Sequence, residues 1–124
     1  MRETPLAREI RKNTRVFAAL GDATRVSILA VLSRGEPVSV SRLTRGRRIT
    51  RQAVSKHLRV LESAGLVRSV RHGREVRFEL QRARIDSAAR ALDTIAQQWD
   101  AALRRLKATL ESPGQNAVTR SSGA

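Results

Sequence analysis

Residues 50–65 read T-R-Q-A-V-S-K-H-L-R-V-L-E-S-A-G, and the fold of the chain turns on them. Val54, Leu58 and Leu61 recur at i, i+4 and i+7, which predicts an amphipathic helix with Ala53, His57, Val60 and Ala64 backing the stripe. Thr50 stands where a side-chain N-cap belongs, and Gly65 closes the segment. Gln52, Ser55, Lys56 and Arg59 fall on the opposite edge at i, i+3, i+4 and i+7, a continuous row of hydrogen-bond donors. Glu62 is the first acidic residue of the helix, whereas a face that serves solubility alone mixes both signs. His57 lies beside Val54 and Leu61 and reads as a semi-buried packing residue without chemistry.

Working outward toward the N-terminus, Ser39 predicts the cap of a short helix carrying Val40 and Leu43 and ending near Gly46. Pro37 separates it from the helix before. That helix starts after Asp22, carries Val26, Ile28, Leu29, Val31 and Leu32, and stops at Arg34-Gly35. Leu6, Ile10, Phe17 and Leu20 share one face of a first helix that ends at Gly21. Toward the C-terminus the period changes to two, with Val76, Phe78 and Leu80 alternating against Arg77 and Glu79. His72-Gly73 supplies a turn, and the run Leu66 to Arg71 completes a two-stranded hairpin with Arg71 and Arg74 at its tip. A long helix follows, in which Ile85, Ala88, Leu92, Ile95, Trp99, Ala102 and Leu106 step by three and four residues, extended by Leu103 and Leu110. Residues 112–124 lack periodicity and read as a disordered tail behind a single domain over residues 1–111.

Two helices joined by a short turn, the second with a polar face, followed by a basic hairpin, form a winged helix-turn-helix. The expected fold is therefore mainly α with a small β-hairpin, about five helices and a two-stranded wing. Charge supports it. Of 124 residues, 25 are Lys or Arg and 11 are Asp or Glu, for a formal +14. Residues 39–77 hold +9 of this, so the field is concentrated where the helix pair and hairpin lie. Gln pairs bidentately with adenine and Arg or Lys with guanine, while Thr50 and the first N–H groups of its helix suit a phosphate oxygen. Arg51, in the first turn, suits a base or a phosphate. Three aromatics (Phe17, Phe78 and Trp99) are too few for a single-strand stacking platform, which leaves duplex DNA as the expected partner.

Other classes fit poorly. The chain has no cysteine, which excludes disulfide scaffolds and thiol chemistry and makes an intracellular, cytoplasmic setting the natural expectation. No apolar run approaches a membrane span and the first 20 residues have no apolar h-region. Ser55 and His57 diverge by about 200° on one helix and cannot form a nucleophile–base pair, and no glycine-rich phosphate loop occurs, so no enzyme and no cofactor are expected. Asp86, Asp93 and Asp100 lie about 10.5 Å apart along the last helix, too far to share an ion. The last helix outlasts the small core and would leave Trp99 exposed in a monomer, which argues for a subunit partner. A charge-driven architectural DNA coat and a winged-helix module for protein interaction are the alternatives.

The chain resembles the ArsR/SmtB family of bacterial winged-helix repressors. A-L-G-D-A-T-R-V-S-I-L at 19–29, R-Q-A-V-S-K-H-L-R-V-L-E-S-A-G-L-V at 51–67 and H-G-R-E-V-R-F-E-L at 72–80 carry the likeness, which extends over roughly residues 6–111. It implies a homodimer built from the first and last helices, placing Leu6, Ile10 and Phe17 with Leu92, Ile95, Trp99, Leu103 and Leu106. It also implies repression at an inverted-repeat operator, with Gln52, Ser55, Lys56 and Arg59 on bases or phosphates and Arg74 in the wing contact. Two departures matter. Metal-sensing members ligate through Cys on the helix before the recognition helix or through acidic and His residues on the last; here only His57 and His72 occur, so no metal is expected. Arg47-Arg48 replaces the common Leu-Gly of the turn and adds two candidate phosphate contacts. The inducer is not legible in the sequence.

Overall fold

The computed structural model describes residues 2–111. The chain divides into two compact units, one running to Arg90 and one starting at Ala91. In order the elements are α1 (Pro5–Lys12), α2 (Thr14–Leu20), α3 (Ala23–Leu32), β1 (Val38–Ser39), α4 (Val40–Thr44), α5 (Arg51–Ser63), β2 (Val67–His72), β3 (Glu75–Leu80) and α6 (Arg82–Glu111). The expected winged helix-turn-helix is present, with six helices rather than five.

The extra helix arises because the first segment breaks at Asn13. This residue leaves helical geometry at φ −101°, ψ 10° and is buried. Its Nδ2 donates to the Glu9 carbonyl at 2.8 Å and its backbone N–H to the Ile10 carbonyl at 3.1 Å. A short amide side chain competes with the backbone for its own carbonyls, which is why Asn sits poorly inside helices. α1, capped by Thr4 through the Ala7 N–H at 3.1 Å, buries no residue, whereas α2 buries Val16 and Ala19.

The caps at Asp22, Ser39 and Thr50 form as expected, each side chain accepting the backbone N–H three residues on. The sheet differs from expectation. Val38 and Ser39 pair with Phe78 and Arg77, so the hairpin gains a third strand in the order β1-β3-β2. Two residues are too few to show alternation, and Val38 is extended because it adds to a β3 edge while burying its side chain. The hairpin loop also moves by one residue. His72 pairs with Glu75, leaving Gly73-Arg74 as a two-residue loop. Gly73 takes φ 65° and, among the described residues, no non-glycine residue (Arg74 included) has positive φ, as a II′ turn requires.

The core of the first unit is built from Ile28, Leu29 and Leu32 of α3, Leu43 of α4, Val54, Leu58 and Leu61 of α5, and Leu66, Val67 and Ala88, with Phe17, Phe78 and Ile85 packed on it. The stripe read from residues 50–65 thus faces inward, and the donor edge faces out. The second unit is the remaining length of α6. Along it Leu92, Ile95, Trp99, Leu103, Leu106 and Leu110 are exposed, Trp99 at 65%. Residues 112–124, read above as a tail, lie outside the described residues. Among the described residues no helix is long and apolar enough to cross a membrane.

Candidate nucleic-acid interface

α5 is oriented by what it buries. Thr50 Oγ1 accepts the Ala53 N–H at 3.0 Å, fixing the start of the helix, and the inward side chains of Val54, Leu58 and Leu61 fix its rotation. Arg51, Gln52, Lys56 and Arg59 are consequently exposed and Ser55 half-buried. None of these five side chains has a hydrogen-bond or ion-pair partner among the described residues, so their donors are free for a ligand. Glu62 turns away: its Oε2 accepts the Ser69 N–H of β2 at 3.3 Å, which ties the wing to the end of α5.

The two arginines of the turn part company. Arg47 is half-buried, its Nε donating to the Leu43 carbonyl and its Nη1 to Ser27 Oγ, both at 2.7 Å. It braces α4 against α3. Arg48 is exposed and unpartnered. The wing divides in the same manner. Arg71, opposite Val76, and Arg74, in the loop, are exposed without partners, while Arg68 is bonded to Glu79 and Arg77 to Glu75.

A second brace was not visible in the sequence. The Arg25 guanidinium donates through Nε to the Ala19 carbonyl at 2.7 Å and lies 3.4 Å from His57 Nδ1. Arginine has no acceptor, so Nδ1 is the accepting nitrogen of the half-buried His57. The Asp22 carboxyl is held below its ordinary value, chiefly by the backbone N–H of Arg25 and less by the Arg25 charge. Arg42 and Arg45 were also missed as individuals, although they count in the local charge. Both are exposed and unpartnered and line, with Arg77 and the carboxylates Glu36 and Glu75, a cleft of about 580 Å³ between α4 and the hairpin.

Eight exposed cations without partners among the described residues, Arg42, Arg45, Arg48, Arg51, Lys56, Arg59, Arg71 and Arg74, gather on α4, the turn, α5 and the wing, while others such as Arg15 and Arg34 lie elsewhere. On the α5 edge and at the wing tip these side chains offer donors with no bound carboxylate, the complement of a phosphodiester backbone, whereas Arg42 and Arg45 share their cleft with Glu36 and Glu75. Among the described residues no three His, Cys, Asp or Glu side chains are grouped to hold a metal ion. On α6, Asp86 pairs with Arg82 at 3.6 Å and Asp93 accepts from Gln97 at 3.1 Å.

Comparison with known proteins agrees with this geometry. A helix-turn-helix domain model matches residues 20–70. The HTH-type transcriptional regulator YuzN of Bacillus subtilis is 48% identical over 65 residues, 48% of this chain and 71% of that protein. The structure of an ArsR-like transcriptional regulator from Rhodococcus sp. RHA1 superposes with a TM-score of 0.72 at 41% identity, covering 82% of this chain and 95% of that one. The solution structure of a homodimeric winged helix-turn-helix DNA-binding domain from Mycobacterium bovis shares the fold at 22% identity and a TM-score of 0.58, covering 78% and 88% of the two chains.

Proposed function

The chain belongs to the ArsR family of helix-turn-helix transcriptional regulators, and from that premise we propose that it is a homodimeric, sequence-specific repressor that occupies an inverted-repeat operator in the bacterial cytoplasm. The observation that carries this reading is the unpartnered edge of Gln52, Ser55, Lys56 and Arg59 on a helix whose opposite face is fully buried. In the major groove, Gln52 and Arg59 read base edges, each good bidentate pair contributing about 1–3 kcal/mol of discrimination. Arg48, Arg71 and Arg74 bind phosphates and set the register. Arg51 and Lys56 take a base or a phosphate, while Thr50 caps α5 beside the backbone.

The dimer half of the proposal rests on the apolar stripe of α6. Leu92, Ile95, Trp99, Leu103 and Leu106 are all exposed in the single chain, a costly arrangement in water unless a second copy covers them. The resemblance adds Leu6, Ile10 and Phe17 of the first unit to this interface; all three are half-buried, and Leu6 and Ile10 stand outside the core. Two copies of α5 then enter successive major grooves about 34 Å apart.

The test is fluorescence anisotropy on a duplex from the chain's own promoter region, competed with scrambled duplex at two salt concentrations. A specific repressor prefers its operator by about 10³-fold or more and keeps that preference as salt rises. Equal affinities that collapse together with salt would instead identify a charge-driven coat.

A further inference from the structure

An open groove of about 470 Å³ lies where α2, the start of α3 and the C-terminal half of α5 meet. Its apolar wall is formed by Ala18 and Ala19 of α2 with Val60 and Ala64 of α5, and no carboxylate lines it. Three arginines do, and they are not equivalent. Arg25 is engaged with the Ala19 carbonyl and His57. Arg15 and Arg59 are exposed and have no hydrogen-bond or ion-pair partner among the described residues. Val60 is 42% exposed, an aliphatic side chain left wet beside two free cations. A phosphodiester uses the cations but gains nothing from the apolar wall. An anion with an apolar body uses both, and the volume falls within the range of small-molecule sites.

We propose that this groove binds an organic anion, a carboxylate with an apolar tail, whose head is held by Arg15 and Arg59 and whose tail lies on Val60 and Ala18, and that its binding withdraws Arg59 from DNA. The second half rests on the role given to Arg59 above; the binding itself does not. Arg59 belongs to both surfaces because it closes the donor edge of α5 and also lines the groove. Ligand and operator then compete for one guanidinium, and by linkage each weakens the other.

The experiment is an amide NMR titration of the full ¹⁵N-labelled chain with sodium octanoate, with 1-octanol and inorganic phosphate as comparators. Octanoate is expected to shift the amides of Ala18, Val60 and Ala64 saturably. Octanol, lacking the charge, binds at least about tenfold more weakly, and so does octanoate to the Arg15→Glu variant. Val60→Asp, which puts a carboxylate in the groove without disturbing a buried position, abolishes the shifts. Shifts confined to α6, or indifferent to Arg15→Glu, overturn the site. Phosphate binding at the same amides as tightly as octanoate overturns the organic ligand and identifies a backbone contact. Octanoate bound in the groove with operator affinity unchanged overturns the competition alone, and none of the titration arms depends on whether the chain binds an operator.

Discussion

Arg47 and Arg48 are adjacent, carry the same charge, and are expected to give opposite phenotypes when replaced by alanine. Arg47 makes two 2.7 Å hydrogen bonds, to the Leu43 carbonyl and to Ser27 Oγ. A hydrogen bond from a charged donor contributes about 1.5–3 kcal/mol when well shielded. The guanidinium is only half-buried, and water replaces part of what is lost, so about 1–2 kcal/mol for the pair is the expectation. In a unit of about 90 residues each kcal/mol shifts Tm by about 4–8 °C, so Arg47→Ala should melt about 4–16 °C below the parent. Ser27→Ala removes one of the two bonds and should lower Tm by less, and the double variant should lie well short of the sum, because both changes delete the same bond. Arg48→Ala should melt with the parent and bind operator more weakly, with a salt slope smaller by about 0.9 per protomer. Circular-dichroism melts at one fixed protein concentration, paired with anisotropy at several salt concentrations, read both quantities. An Arg47→Ala protein that melts with the parent and loses DNA affinity would refute the assignment of Arg47 as a brace and return it to the interface.

Other expectations follow from the same surfaces. Reversing Arg51, Lys56 and Arg59 to Glu should abolish operator binding with helicity and Tm unchanged, since none of the three has an internal partner; loss of folding would show that this edge is structural. Arg71→Ala with Arg74→Ala should lower the salt slope by about 2 per protomer while leaving base preference intact, and a changed preference would place the wing on bases. Leu92→Asp should sediment as a monomer and lose operator affinity by more than about tenfold. Because Trp99 is the only tryptophan, its emission should shift red on dilution of the parent, and an unchanged spectrum in a dimeric Leu92→Asp protein would sink the α6 interface. Asp22 has a depressed folded pKa, so it contributes stability that is present above the ordinary carboxylate range and lost as pH falls through its folded value. Asp22→Asn keeps a capping oxygen but does not titrate, and should flatten the acid limb of a Tm-against-pH curve.

The sequence was most readable where one residue type has one use. Asp22, Ser39 and Thr50 are side-chain caps followed by apolar periodicity, and all three cap as read. The stripe at Val54, Leu58 and Leu61 gave the rotation of α5, because an amphipathic helix on a core has one stable orientation. The break at Asn13 was hidden by a hydrophobic pattern that continues across it, although Asn followed by Thr is a local competitor for helix carbonyls. The strand at Val38 was illegible because its extension is set by a partner 40 residues away in β3. The loop shifted by one residue since either His72-Gly73 or Gly73-Arg74 satisfies a glycine-bearing turn, and pairing with Glu75 decides between them. In the site, the exposed edge was legible from periodicity, but the fate of individual arginines was not. Whether an arginine stays free for a ligand or bonds a carbonyl depends on which acceptors the fold brings within reach, as Arg25 and Arg47 show.

Ser39 ends β1 and caps α4 with the same residue, and at the other end of the wing the Leu66 N–H bonds to the Leu61 carbonyl of α5 at 2.9 Å. No slack exists at either join. On the proposed reading the wing and α5 act as a calliper of set opening, so a drift in operator sequence would be followed by exchanging the side chains on its jaws. A change in the distance between the contacted groove and the contacted backbone is a different matter: an inserted residue at 39 or 66 would uncouple a strand from a helix and loosen the unit before it widened the grip.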